Sequence, residues 1–143
     1  MTTTTREGGA QAEAGRRLAT LRGNCMGAAV LLIVQFGLGI GLNLYVALPA
    51  HKSFLSTVSG SAVLATHAVV ALVLLGAAIS ALVRAIRIRR AVVFTSVGLA
   101  AIVAAAAAGA AFAGSQGNGA SLSMALATAA AMFCYLAAIF SLR

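Results

Sequence analysis

Residues 62–90 read AVLATHAVVALVLLGAAISALVRAIRIRR: an apolar run from Ala62 that Arg84 closes, followed at once by Arg87, Arg89 and Arg90. The only ionisable side chain inside the run is His67. A hydrocarbon core about 30 Å thick is crossed by about 20 apolar residues in a helix, so 62–84 predicts a transmembrane helix with a basic end. The same reading extends outward to 26–48, 91–113 and 121–142, which contain no Asp, Glu or Lys. In lipid each segment must satisfy its own backbone, and the short alternating segments of a barrel are absent. The sequence therefore predicts an all-α polytopic membrane protein, a four-transmembrane-helix up-down bundle over 23–143. A polar N-terminal segment, 1–22, is expected to be mobile, with a short interfacial helix over 10–22 that turns Leu18 and Leu21 toward lipid.

Composition agrees with that class. The 143 residues are 62% apolar and 8% charged, with mean hydropathy +1.03, far from soluble usage. The net charge of +8 would suggest nucleic acid in a soluble chain, but its placement excludes that reading. Arg6, Arg16, Arg17, Arg22, Arg84, Arg87, Arg89, Arg90 and Arg143 fall on one side of the expected membrane, and only Lys52 on the other. By the positive-inside rule both termini and loop 85–90 are expected in the cytoplasm, and loops 49–61 and 114–120 outside. The basic clusters are read first as topology determinants, with anionic headgroups as reinforcement. Span 26–48 is too long for a signal-peptide core and lacks a small-x-small cleavage site, so it is expected to stay as an anchor. Arginine in place of lysine, with heavy alanine use, points to a GC-rich bacterial genome, and the expected location is the cell membrane.

Packing faces follow from spacing. Gln35, Gly39 and Asn43 recur at i, i+4, i+8 in span one, as do Ala105, Gly109 and Ala113 in span three. Gly37 and Gly41 form a GxxxG notch, and Gly76 with Ser80 a second small-residue notch. Span three is so rich in alanine that it is expected to be the most protein-packed helix or part of an oligomer interface. Tyr45 suits the outer interface, and Phe54 and Leu55 in the long outer loop beside His51 are expected to pack on the bundle mouth or to dip into the interface. Ser121 is the expected N-cap of span four after the turn SQGNG at 115–119. Cys25 and Cys134 are read as small apolar fillers rather than a disulfide.

Antiparallel topology brings His67, Asn43, Ser121, Ser123 and Met124 to one level in the outer third, with His51, Gln116 and Asn118 above. This predicts a polar outer pocket. An intramembrane histidine is costly unless paired or ligated. Imidazole can hold haem iron or another metal, or titrate near neutral pH. It can equally act as interhelical glue by bonding Gln35 or Asn43, worth about 1 kcal/mol. No span carries a carboxylate, and both acids of the chain, Glu7 and Glu13, lie in the N-terminal segment. That disfavours carboxylate proton relays, and neither an HExxH, a CxxC nor a serine–histidine–acid set is present. No catalytic residue is assigned.

The run Gln35-Phe36-Gly37-Leu38-Gly39 followed by His67 resembles one four-helix half of the haem A synthase family, over about fifty residues. The resemblance implies haem as a cofactor with His67 as an axial ligand. That family carries a second histidine in the last helix; here only Met124 or the His67 of a second subunit could complete the pair. The chain as a whole is similar to small four-span membrane proteins of actinobacteria in N-L-Y-V (43–46) and S-L-x-M-A-L (121–126), which implies no particular activity. Two functions are expected from these residues. One is a structural or accessory subunit that self-associates or partners another membrane protein in the bilayer. The other is a haem- or metal-binding membrane protein using His67 and Met124, and an outward-opening pocket for a small molecule or lipid is a further option.

Overall fold

The computed structural model describes residues 3–45, 61–115 and 118–143, with side-chain surroundings for all of these except 3–7, 10, 45 and 113–115. Four helices account for nearly all of them: α1 (Thr3–Tyr45), α2 (Ala62–Ile88), α3 (Val92–Ser115) and α4 (Asn118–Ser141). No strand occurs among the described residues. Each helix contains a window long and apolar enough to cross a membrane, so the protein is an all-helical, multi-pass bundle. α1 packs on α2 and α4, and α3 packs on α2 and α4, so the helices follow one another around the bundle in chain order. The start of α1 and the end of α4 lie at one end, the terminal end; the end of α1, the start of α2, the end of α3 and the start of α4 lie at the other, the loop end.

The buried positions explain how the helices meet. On α1 they are Leu21, Cys25, Ala28, Ala29 and Leu32; on α2, Leu74, Ala78, Ala81 and Ala85; on α4, Thr128, Ala131, Tyr135, Ala138, Ile139 and Leu142. α3 contributes Thr95, Gly98 and Ile102. Each helix carries a series in alternating steps of three and four, widened by Ala29 on α1 and Ile139 on α4. That is a 3.5-residue repeat, which keeps one seam facing inward and belongs to left-handed packing. The opposite faces carry Leu72, Val93, Leu126 and Phe133, all strongly exposed. Side chains of that kind fit lipid, since a water-facing surface would not present so many together.

The ends of α2 show local control. Ser61 caps its start in extended geometry, its hydroxyl accepting from the Leu64 N–H at 3.4 Å. At its far end Arg89 adopts the left-handed region (φ 53°) and Arg90 N–H donates to the Ala85 carbonyl at 3.1 Å, closing the last turn. Ala91 is also left-handed (φ 56°), and its carbonyl accepts from the Thr95 backbone at 3.0 Å, starting α3. Two non-glycine residues at positive φ cost roughly 1–2 kcal/mol each. That strain is the cost of turning the chain within 89–91, a tighter connection than the expected loop 85–90.

Several expectations are corrected. The N-terminal segment does not form a separate short helix. α1 is one helix of 43 residues, about 65 Å long at 1.5 Å per residue. Despite its threonines and glycines, its polar start has no proline, carries Ala and Arg, which favour helix, and includes a Glu13–Arg17 ion pair one turn apart. Leu21 is fully buried rather than lipid-facing, and Leu18 packs beside it, because both extend the 25–28–32 seam. α4 begins at Asn118, so Ser121 is an interior helical residue and not the N-cap. α3 approaches α4 more closely than any other two helices approach each other, yet it is the least buried helix within one chain: 17% of its most apolar window is buried, against 22–28% for the others. Its seam is narrow, and Val103, Ala104, Ala106, Ala107 and Ala110 face outward. The loop carrying His51, Lys52, Phe54 and Leu55, the side chain of Tyr45, and Gln116 lie outside the described residues.

Candidate functional site

His67 lies five residues into α2, about 8 Å along its axis, and Met124 six residues into α4, about 9 Å at the same rise. The up-down topology therefore sets them at one depth below the loop end. α1 brings Gln35 and Gly39 to that level, and α3 brings Gly109. A Cβ placed on Gly39 would lie 3.6 Å from His67 Cε1 and 4.0 Å from Met124 Cε. One placed on Gly109 would lie 3.3 Å from Met124 Sδ. Both glycines thus leave room for the larger side chains, and the flexible thioether of Met124 fills the gap between them.

The central contact is between Gln35 and His67. The amide Nε2 of Gln35 lies 3.0 Å from His67 Nε2 and donates to the His67 backbone carbonyl at 3.2 Å. An amide nitrogen can only donate, so the orientation that satisfies the carbonyl makes imidazole Nε2 the acceptor. The imidazole proton is then on Nδ1. Within the described structure His67 Nδ1 and Gln35 Oε1 are both buried without a hydrogen-bond partner. The site therefore holds one spare donor and one spare acceptor, in a region where bulk water cannot serve them.

Asn43 does not share this contact. It is exposed, because eight residues of a 3.6-residue helix overshoot the seam by about 80°. Of the two serines, Ser121 is half-buried and Ser123 exposed. Neither bonds His67 or Met124, and the pocket of converging polar groups reduces to Gln35 and His67. A Cβ added at Gly37, Gly41 or Gly76 would meet no neighbouring atom within 4 Å. The close helix approaches expected at these glycines are not made within one chain. Ala105 and Gly109 are half-buried along the α3 seam, while the Ala113 side chain lies outside the described residues. Both cysteines are free thiols, Cys25 buried and Cys134 half-buried. Among the described residues no three His, Cys, Asp or Glu side chains converge as a metal site would require.

Two contacts have no counterpart among the expected site residues. Asn24 Nδ2 donates to Ser80 Oγ at 3.2 Å, and Ser80 in turn donates to the Ala77 carbonyl at 2.8 Å. Asn24 precedes the expected start of span one, so its role was hidden by the boundary; Ser80 already stood out as a small polar residue. The second is Gly98, where a Cβ would lie 2.9, 3.2 and 3.3 Å from Tyr135 Cε2, Cζ and Cδ2. Tyr135 is fully buried with its hydroxyl unpartnered. No local signal in the sequence marks this pair, because it joins residues of two different helices. Comparison with protein-family models, with curated proteins and with solved structures gives no match to this chain.

Proposed function

We propose that this chain is a structural or accessory subunit of the cell membrane, with both termini cytoplasmic, that associates with further copies of itself or with another membrane protein. The observation carrying this reading is the outward alanine face of α3, Ala104 and Ala107 with their neighbours. Alanine gains little from lipid, whereas a surface of small side chains admits a second helix closely enough for extensive van der Waals contact. The open notch at Gly37 and Gly41 on α1 supports the same reading. The polar groups at membrane depth, Gln35 with His67 and Asn24 with Ser80, are engaged in tying α1 to α2. Cytoplasmic termini follow from the nine arginines at the terminal end, loop and tails.

Mass measurement of the purified protein in mild detergent or nanodiscs tests this. We expect an oligomer or a co-purifying membrane protein, and A104L/A107L shifting the species toward monomer. A lone monomer for the unmodified chain in both media would contradict the proposal.

One observation favours a second reading, in which His67 and Met124 hold haem or a metal: His67 Nδ1 is buried without a partner, and the His67 ring and the Met124 methyl both border Gly39. Ligation through Nε2 would require Gln35 to let go of that nitrogen. A Soret band that appears on adding haem and vanishes in His67→Ala would support this reading; no band in either protein would remove it.

A further inference from the structure

At the terminal end, residues 13–20 of α1 face the last turn of α2 across an open cavity of about 490 Å³ whose polar lining residues are all exposed. Four guanidinium groups line it, Arg16 and Arg17 from α1 and Arg84 and Arg87 from α2, together with Glu13 and Thr20. Glu13 pairs with Arg17. The Thr20 hydroxyl donates back to the Arg16 carbonyl at 2.8 Å and offers no negative charge. Arg16, Arg84 and Arg87 have no carboxylate partner among the described residues, and Glu7 is the only other acid in the chain. The protein cannot neutralise this cavity from its own side chains.

Setting a topology requires cations near the ends of spans, but it does not require them to converge. Arg89, Arg90 and Arg143 supply the same charge without lining the cavity. The lining arginines come from two helices that pack on one another, so the backbone positions from which they reach the cavity are fixed by the fold. Guanidinium forks match phosphate oxygens with paired hydrogen bonds. The cavity also lies where the apolar windows of α1 and α2 give way to charge, which is headgroup depth.

We propose that this cavity binds a phosphate-bearing anion carrying more than one negative charge. The phosphates of an anionic lipid headgroup are the source its depth favours, and a soluble polyphosphate shares the chemistry.

Native mass spectrometry of the full chain, released from nanodiscs of phosphatidylcholine with and without cardiolipin, tests the lipid source. Pyrophosphate titrated into phosphatidylcholine nanodiscs tests the soluble one. We expect the unmodified protein to retain cardiolipin over phosphatidylcholine, and R84Q/R87Q to lose that retention roughly tenfold or more. R89Q/R90Q removes equal charge from the neighbouring turn outside the cavity and is expected to retain the lipid. If R84Q/R87Q does not fold, R16Q weakens the site from α1 with the α2 cluster intact, and several-fold weaker retention is expected. Saturable pyrophosphate binding that R84Q/R87Q or R16Q abolishes would support the site with a soluble anion as its source. Equal losses in R84Q/R87Q and R89Q/R90Q, unchanged retention in a folded R16Q, or no preference in either arm would overturn the proposal.

Discussion

At the terminal end of the bundle the seam positions Leu21, Cys25, Ala81, Ala85, Tyr135 and Ala138 are sealed; at the loop end the same seams carry Gln35, Gly39, His67, Gly109 and Met124, none of them fully buried. No described residue of α1 beyond Leu32, α2 before Leu74, α3 beyond Ile102 or α4 before Thr128 is fully buried. The terminal half achieves density with small alanines and one large ring set against Gly98. The loop half relies on one polar contact and a flexible methionine. The same helices, with the same 3.5-residue repeat, thus form a rigid, shape-specified half and a looser half held by a hydrogen bond. The polar contact of the loop half is Gln35–His67, whereas Asn24–Ser80 ties the same two helices within the terminal half.

Truncating the ring that fills the tight half should have the largest effect. Tyr135→Ala is expected to destabilise the bundle by on the order of 3–5 kcal/mol, the range for emptying a buried aromatic site. Steric trapping in bicelles would measure it, and a loss under about 1 kcal/mol would show that the terminal half is not densely packed.

The two glycines facing large side chains offer the next contrast. Gly98→Ala should cost about 1–3 kcal/mol by overpacking against the ring, because its Cβ would sit 2.9 Å from Tyr135 Cε2. Gly39→Ala should be neutral or slightly stabilising, since its Cβ meets ordinary contact distances of 3.6 and 4.0 Å and alanine favours helix. Similar costs at both positions would erase the distinction between the halves.

Gln35→Leu is expected to cost about 1 kcal/mol, typical of an interhelical hydrogen bond within a membrane. A loss well above about 2 kcal/mol in the same assay would mean that Gln35 does more than tie α1 to α2.

The four helices were legible because membrane insertion writes itself as uninterrupted apolar length, as in 62–84 and 91–113. Depth was legible for the same reason: His67 and Met124 reach one level once the topology is antiparallel. Rotation about each helix axis was not. Asn43 looked coplanar with Gln35 at i+8, yet the 3.6-residue period carries it out of the seam. The alanine-rich run of α3 has no amphipathic face, so its sequence could not say whether the bundle or its surroundings would receive it. Helix ends were obscured where polar residues continue a helix beyond the membrane, as from Thr3 to Asn24 on α1. Tyr135 opposite Gly98 depends on a tertiary register that no local pattern encodes.

The Gln35–His67 contact is tested most directly by nitrogen-15 NMR of the histidine-labelled protein in lipid. We expect His67 as a neutral ring with the proton on Nδ1 and a hydrogen-bonded acceptor at Nε2, whose resonance shifts in Gln35→Leu. A proton on Nε2, or an Nε2 resonance indifferent to Gln35→Leu, would contradict a histidine held in place by Gln35.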